Sequence, residues 1–219
     1  MVRSRNLKSV KSKKNGKSFD SLPSSDEILR EALGDLEPNH KIIERSFTEI
    51  LQEIEPNFEK SEDLRDTPVR FAKSIVSLTT KNEDILNLKS FPNPGCDQII
   101  VLKGIKFYTL CAHHVLPFFG TVNIGYIPNK RIFGLSKFPR IVKYFSKSLQ
   151  IQEKFTQEIA NFVQKNLDCK GVIVNVNARH LCMEMRGIES CSETETCAIT
   201  KCFRTDASAK AEALDMFKG

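Results

Sequence analysis

Two short segments carry side chains that commonly ligate metals. The first, 111–114, reads Cys-Ala-His-His, and the C-x-x-H spacing of Cys111 and His114 lets a thiolate and an imidazole converge on one ion. The second, 180–182, adds His180 and Cys182. A Cys/Cys/His site with one position left for water is the layout of a catalytic zinc, and the surplus His113 and His180 would carry protons beside it. Ordinary buried thiols and hydrogen-bonded core histidines would give the same pattern, so both interpretations stay open here.

Basic side chains lie near these segments in the sequence. Lys137, Arg140 and Lys143 share one edge of a helix that Ser136 is predicted to open, and Arg186 follows the second segment. Cations at fixed positions near a helix N-terminus bind phosphate. A solvated charged face has the same spacing, so the pattern alone does not separate the two.

An amide and a carboxylate stand side by side at the predicted start of another helix, in Gln152 and Glu153. Such a pair can match the N–H donors of a guanine edge. By itself, the carboxylate is explained more simply by its favourable position at the positive end of the helix dipole.

Periodicity predicts the elements that must position these residues. Helices are predicted over 27–36, 38–55, 67–80, 136–149, 153–167 and after Asp206. Strands are predicted over 98–103, 118–127, 131–134, 172–178 and 196–204. Helices first, then paired strands around two consecutive helices, predict an α+β fold with an antiparallel sheet.

The composition narrows the class of protein. The chain has 219 residues, of which 40% are hydrophobic and 27% charged, so it reads as an ordinary globular protein. Apolar runs fall far short of a membrane span. Seven cysteines spread over this length are an odd number, which argues against a secreted disulfide framework and favours a reducing, cytoplasmic location.

The basic charge is concentrated at the N-terminus. The first 18 residues hold seven Lys or Arg and no acid, and removing them from the net charge of +6 leaves about −1 for the rest. Residues 1–23 are therefore predicted to be a disordered basic tail, 24–95 an N-terminal helical region and 96–219 the catalytic domain. A nucleic-acid contact by the tail and a transit peptide are the alternatives for this segment.

Several separated motifs together resemble the GTP cyclohydrolase I family. They follow the family's order and spacing, and the resemblance spans about residues 40–218, outside the basic tail. The matching segments are 67–70 (TPVR), 111–118 (CAHHVLPF), 134–137 (GLSK), 149–153 (LQIQE) and 180–187 (HLCMEMRG).

The resemblance implies a fold, an assembly and a reaction. The fold would be a tunnelling fold, an antiparallel sheet backed by two helices, with N-terminal helices. The assembly would be a homodecamer of two stacked pentameric rings with active sites between subunits. The reaction would open the imidazole ring of GTP by attack of water on carbon 8, release formate and give 7,8-dihydroneopterin triphosphate, the first step of folate or tetrahydrobiopterin synthesis.

The resemblance also implies a role for each matched residue. Zinc would be held by Cys111, His114 and Cys182. His113 would be the acid/base that protonates nitrogen 7, with His180 assisting. The guanine would be read by Gln152 and Glu153. The groups around the ribose and triphosphate would be Ser136, Lys137, Arg140, Arg186 and Arg70. Neither a membrane nor a nucleic acid is expected as a partner.

Some positions depart from the family pattern. Ala112 replaces the family's usual glutamate beside the ligand pair, where a carboxylate could orient a neighbour through the second shell. Glu193 replaces a lysine near the last strand, and Pro139 and 146–148 also differ. Since every matched ligand survives, an active enzyme is the main hypothesis. A catalytically impaired homologue that serves as a structural or regulatory subunit is the alternative.

Overall fold

Residues 40–218 are the part of the chain that the structure, a computed structural model, describes, and they belong to one compact unit. The predicted basic tail and the predicted helix over 27–36 lie outside the described residues. The division predicted between residues 95 and 96 stays a prediction.

Two helices come first, as the apolar spacing predicts. Helix α1 is described over His40–Ile54, and α2 spans Thr67–Thr79. The rings of Phe47 and Phe71 stack with centroids 3.7 Å apart and join the two helices. Proline lies in the first turn of α2, where its missing N–H costs nothing, but Asp66 rather than Thr67 occupies the N-cap position.

A five-stranded sheet forms the centre of the fold. In chain order the strands are β1 (Ser90–Pro92), β2 (Ile100–Cys111), β3 (Pro117–Pro128), β4 (Arg131–Phe133), β5 (Leu149–Gln150), β6 (Cys169–His180) and β7 (Glu193–Ile199). The sheet runs β5-β2-β3-β6-β7, while β1 and β4 pair separately. Every pairing is antiparallel except that of β2 with β5.

Helices α3 (Lys137–Ser146) and α4 (Gln152–Asn166) supply the apolar side chains that cover the sheet. Their buried residues, among them Phe138, Ile141, Phe155 and Ile159, share one core with the inward side chains of β2, β3 and β6. Three more helices complete the described chain: α5 (Leu181–Glu184), α6 (Cys202–Thr205) and α7 (Ala207–Lys218). The predicted α+β fold, an antiparallel sheet backed by two helices, is confirmed.

Three of the predicted strands needed correction. The strand predicted over 98–103 continues to Cys111. The strand predicted over 196–204 ends at Ile199 because the chain turns at Lys201 and enters α6. The strand predicted over 131–134 follows the predicted short turn after β3, but it pairs with β1 instead of returning along β3. Each error concerns where a strand ends or which strand it pairs with.

Among residues 40–218, the structure contains no helix of the length and apolar character needed to cross a bilayer.

Candidate active site

Three site segments meet at one end of the sheet because of the strand order. Strand β2 ends at Cys111, β3 begins at Pro117, and β6 ends at His180. The register pairs Phe118 of β3 with His180 of β6. Helix α5, which carries Cys182, starts where β6 ends, so the second segment lies beside the loop of the first.

The loop that carries the two neighbouring histidines is a tight connection between β2 and β3. The Cys111 N–H donates to the Leu116 carbonyl over 2.8 Å, and the Val115 N–H donates to the Cys111 carbonyl over 2.9 Å. Val115 has a φ of 55°, which is strained for a β-branched residue. His113 and His114 are both exposed in this loop, so a ligand can reach them.

Cys111, His114 and Cys182 form a cluster whose ligand atoms all lie within 4.8 Å of one another. The Cys111 Sγ is 3.8 Å from the His114 Nδ1. His113 Nδ1 is also 3.8 Å from this sulfur, but His114 is the histidine that closes the cluster with Cys182. The sequence-predicted ligand set is therefore brought together by the fold.

The donor set fits a zinc ion. Tetrahedral zinc with thiolate and imidazole ligands has ligand-to-ligand edges of about 3.5–3.8 Å, close to the separation of Cys111 and His114. Burial raises the pKa of the Cys182 thiol, and the neighbouring Cys111 raises it further. A cation held beside the Cys182 sulfur would oppose this effect and stabilise its thiolate.

His180 is held rigidly beside this cluster. Its ring stacks on Phe118 with centroids 4.5 Å apart and planes 6° from parallel. Its Nε2 lies 2.7 Å from the Gln152 Oε1. Burial lowers the pKa of His180, against the opposing influence of the Glu153 and Glu184 carboxylates, and this favours the neutral ring.

Gln152 and Glu153 directly follow β5, and β5 is hydrogen-bonded to the loop that carries the predicted metal ligands. The Ala112 N–H donates to the Gln150 carbonyl over 2.9 Å, which places the start of α4 near the loop. Glu153 is exposed, whereas Gln152 is only 2% exposed. The Gln152 side chain is hydrogen-bonded within the protein, so in this arrangement its predicted contact with guanine would have to use its backbone.

The residues predicted to bind ribose and phosphates are placed on two elements. Ser136 and Arg140 are exposed and Lys137 is half-buried at the start of α3, where the Ser136 side chain makes no capping hydrogen bond. Arg186 is exposed just after α5. These side chains are free of the core and accessible to an anion.

Arg70 is not joined to the other site residues by any described contact. It lies in α2, where its Nη1 donates to the Asp63 carbonyl over 3.1 Å and its Nη2 lies 3.5 Å from the Asp66 carboxylate. Its role around the triphosphate stays a prediction.

Several supporting residues escaped the sequence analysis. The sequence places Phe118 in a strand but does not indicate that its ring stacks on His180. Nor does it single out Thr156 and Thr196, which both belong to the hydrogen-bond network of Gln152. Arg179 and Glu184, which form an ion pair across the junction of β6 and α5, were also missed. Thr196 and the stacking of Phe118 on His180 reach the site only through pairing of distant strands. Thr156 is one helical turn from Gln152, and Arg179 and Glu184 are five residues apart, so spacing in the sequence could have indicated these three.

Comparisons with known proteins identify the family to which this chain is similar. The family model described as GTP cyclohydrolase I matches residues 43–218. The GTP cyclohydrolase 1 of Campylobacter jejuni (strain RM1221) is 46% identical over 139 residues, which cover 62% of this chain and 73% of that protein. The GTP cyclohydrolase 1 of Methylococcus capsulatus is 39% identical over 182 residues, which cover 81% of this chain and 97% of that protein.

A solved structure is similar over part of the chain. The apo form of an archaeosine synthase QueF-Like matches 47% of this chain and 93% of its own, with 19% identity and a TM-score of 0.38.

Proposed function

This chain belongs to the GTP cyclohydrolase I family, and we propose that it hydrolyses the imidazole ring of GTP, releases formate and forms 7,8-dihydroneopterin triphosphate. The observation that carries this proposal is the convergence of Cys111, His114 and Cys182 within 4.8 Å. Two distant segments have no structural need to bring two thiols and an imidazole together at an accessible edge of the sheet. A hydrolytic metal site explains why they do.

The ion we propose for this cluster is Zn²⁺, with Cys111, His114 and Cys182 as its protein ligands. Zinc held by three protein ligands with an open position lowers the pKa of water toward neutrality and so supplies a nucleophile at neutral pH. Carbon 8 of a neutral purine is a poor electrophile, so the chain must also make the ring electron-poor.

His113 is the residue we propose for that task. It is exposed beside the cluster, with its Nδ1 3.8 Å from the Cys111 Sγ. An imidazolium there donates a proton to nitrogen 7 of the purine and withdraws electrons from carbon 8. His180 assists from the buried side, where its ring is held by Phe118 and Gln152.

Substrate binding follows from the charges around the cluster. The exposed Glu153 carboxylate accepts hydrogen bonds from the guanine N–H groups. Lys137, Arg140 and Arg186 neutralise the triphosphate, and Ser136 contacts the ribose. Arg70 joins them as a further phosphate ligand. In this proposal an anionic carboxylate binds the guanine end of the substrate, and several cations bind its triphosphate end.

The assembly we propose is a homodecamer with active sites between subunits, acting in the cytoplasm at the start of folate or tetrahydrobiopterin synthesis. Family membership supports this assembly, and so do the exposed apolar residues that flank the site segments.

One experiment on one sample tests the function. The full chain, loaded with zinc, is assayed for metal content and for conversion of GTP to a fluorescent pterin. We expect about one zinc per chain and turnover. His113→Ala should lower turnover by about 10²-fold or more while the zinc content stays the same, because an acid/base is lost and no ligand is. His40→Ala, in α1, is the matched control.

The alternative of a catalytically impaired subunit gives a different result. Stoichiometric zinc with no turnover of GTP by the isolated chain would remove the catalytic proposal. Turnover that appears only after co-assembly with an active relative would then assign the chain to the structural or regulatory class, with Ala112 as its first suspect position.

A further inference from the structure

The Gln152 side chain is a buried link between α4, the two strands β6 and β7, and His180. Its Nε2 donates to the Val176 carbonyl over 3.1 Å and to the Thr194 carbonyl over 2.8 Å. Its Oε1 lies 2.7 Å from the His180 Nε2. With 2% of its surface exposed, this amide is committed to the protein interior.

The amide cannot be reversed without loss. Both backbone carbonyls only accept hydrogen bonds, so the end of the amide that faces them must be the NH₂ group. A flipped amide would place its oxygen against two other oxygens in a buried site. The atom facing His180 is therefore the carbonyl oxygen, which only accepts.

Two threonines fix the same direction independently. The Thr156 hydroxyl donates to the Gln152 backbone carbonyl over 2.7 Å, which uses its only proton. In the 2.6 Å contact between the two hydroxyls, Thr196 must then be the donor. Its lone pairs are left facing the Gln152 Nε2 at 3.2 Å, where they share the two amide hydrogens with the two carbonyls, so this end of the amide is again the donor.

We propose that Gln152 is a positioning residue that holds His180 in the Nε2–H tautomer and in one ring orientation. The oxygen of Gln152 requires a hydrogen on Nε2, and a neutral imidazole carries only one. Stacking on Phe118 fixes the plane of the ring. This inference rests on the proposed function, because in that reaction His180 assists beside the metal site and its orientation then matters.

The two histidines that are not predicted zinc ligands therefore differ in how firmly they are held. His113 is exposed in the loop between β2 and β3, whereas the Nε2–H of His180 is held by Gln152. The Gln152 amide itself neither gains nor loses a proton.

The direct test is the tautomer of His180, measured by ¹⁵N NMR of the imidazole in the full chain, with and without zinc. The signals are assigned by their loss in His180→Asn. We expect a protonated Nε2 and an unprotonated Nδ1 in both samples. A protonated Nδ1 would overturn the proposal, and this measurement on the wild-type chain stands even if variants fail to fold.

Kinetics on a matched pair of variants add the second readout. Gln152→Met should mix the two tautomers and lower kcat by about 10²-fold with KM changed less than about threefold, since proton transfer is affected and binding is not. Gln164→Met removes another half-buried amide of α4, one bonded to Thr200 and Cys169, and should leave both constants unchanged. A rise in KM alone would overturn the positioning role and make Gln152 a substrate ligand.

The two proposals fail separately. A wild-type chain that turns over GTP but has a protonated Nδ1 retains the proposed function and loses this inference. A chain that leaves GTP unchanged but shows the expected tautomer loses the function, while the geometry assigned to Gln152 is upheld.

Discussion

The residues of the site differ in how directly they can bind substrate, and Glu153 is the clearest case. Its neighbour Gln152 is buried and bonded inside the protein, whereas the Glu153 carboxylate is exposed in the first turn of α4. In the proposed function, the side chain that reads the guanine edge is therefore the Glu153 carboxylate alone. A single charged group that makes the discriminating hydrogen bonds can be tested without disturbing the core.

We predict that Glu153→Gln raises the KM for GTP about 10- to 100-fold. The amide offers one acceptor where the carboxylate offers two, and hydrogen bonds to a charged group contribute about 1.5–3 kcal/mol. Steady-state kinetics with GTP and with ITP, which lacks the 2-amino group, measure the effect; ITP should lose less. Glu212→Gln, on exposed α7, is the control. An equal loss for both nucleotides would contradict guanine reading by this residue.

A short turn at Lys201 determines where strand β7 ends. Lys201 has φ 39° and ψ −117°, and the Phe203 N–H donates to the Thr200 carbonyl over 3.2 Å. This is the first central position of a type II′ turn, which glycine normally occupies. The chain thus changes from β7 to α6 through a strained lysine.

Replacing that lysine should stabilise the protein. We predict that Lys201→Gly raises the free energy of unfolding by about 0.5–2 kcal/mol, because relief of strain exceeds the entropy cost of glycine. Lys201→Ala keeps the Cβ and loses only the 3.4 Å contact of Nζ with the Cys169 carbonyl, so it should bring no gain. Urea denaturation of both variants measures the difference. Equal stability of the two would mean that the backbone at residue 201 stores no strain.

An ion pair between Arg179 and Glu184 joins the end of β6 to α5, on either side of the predicted zinc ligand Cys182 in the sequence. Arg179 Nε donates to the Glu184 Oε1 over 2.9 Å, and its Nη2 donates to Oε2 over 2.6 Å. Cys182 lies between these two residues in sequence. The bidentate pair therefore fixes the direction in which α5 leaves the sheet, and with it the position of the Cys182 sulfur.

Loosening this junction should weaken the metal site. We predict that Glu184→Gln lowers the affinity for zinc about tenfold, since groups that orient metal ligands contribute to affinity without touching the ion. Competition with a chromophoric chelator measures the affinity. Glu195→Gln is the control: it makes the same change of charge further along the sheet, where Glu195 accepts a hydrogen bond from the Asn175 amide. An affinity equal to that of the wild type would show that Cys182 is held by other contacts.

The whole molecule shows which features of its structure can be predicted from the sequence. The apolar faces of the helices were predictable because they repeat at helical spacing: Phe155, Ile159 and Val163 of α4 are all fully buried. The pairing of Phe118 with His180 was not predictable, since strand register depends on contacts between distant strands. The inward direction of Gln152 depends in the same way on how α4 packs against β6 and β7, so the ligand set was predictable and its supporting network was not.

Exposed apolar side chains flank the site segments on the single chain. All of them lie within or beside the predicted site segments: one precedes Ser136, two flank Gln150, and two lie on either side of Arg186. They are Leu135, Leu149, Ile151, Met185 and Ile188, and each is exposed. Large apolar side chains gathered around a polar site mark an interaction surface. Their position supports the proposed assembly, in which neighbouring subunits meet at the active sites.

We predict that Ile188→Glu, at the most exposed of these positions with 75% of its surface accessible, breaks the assembly into smaller species and lowers GTP turnover with it. Burying a new carboxylate in an apolar interface costs several kcal/mol at each contact, and the cost is repeated around a ring. Met216→Glu, also exposed but on α7, should leave both assembly and turnover unchanged. Sedimentation velocity at matched concentration measures the size. If Ile188→Glu stays fully assembled, this surface is not where the subunits meet, and the apolar residues around the site need another partner.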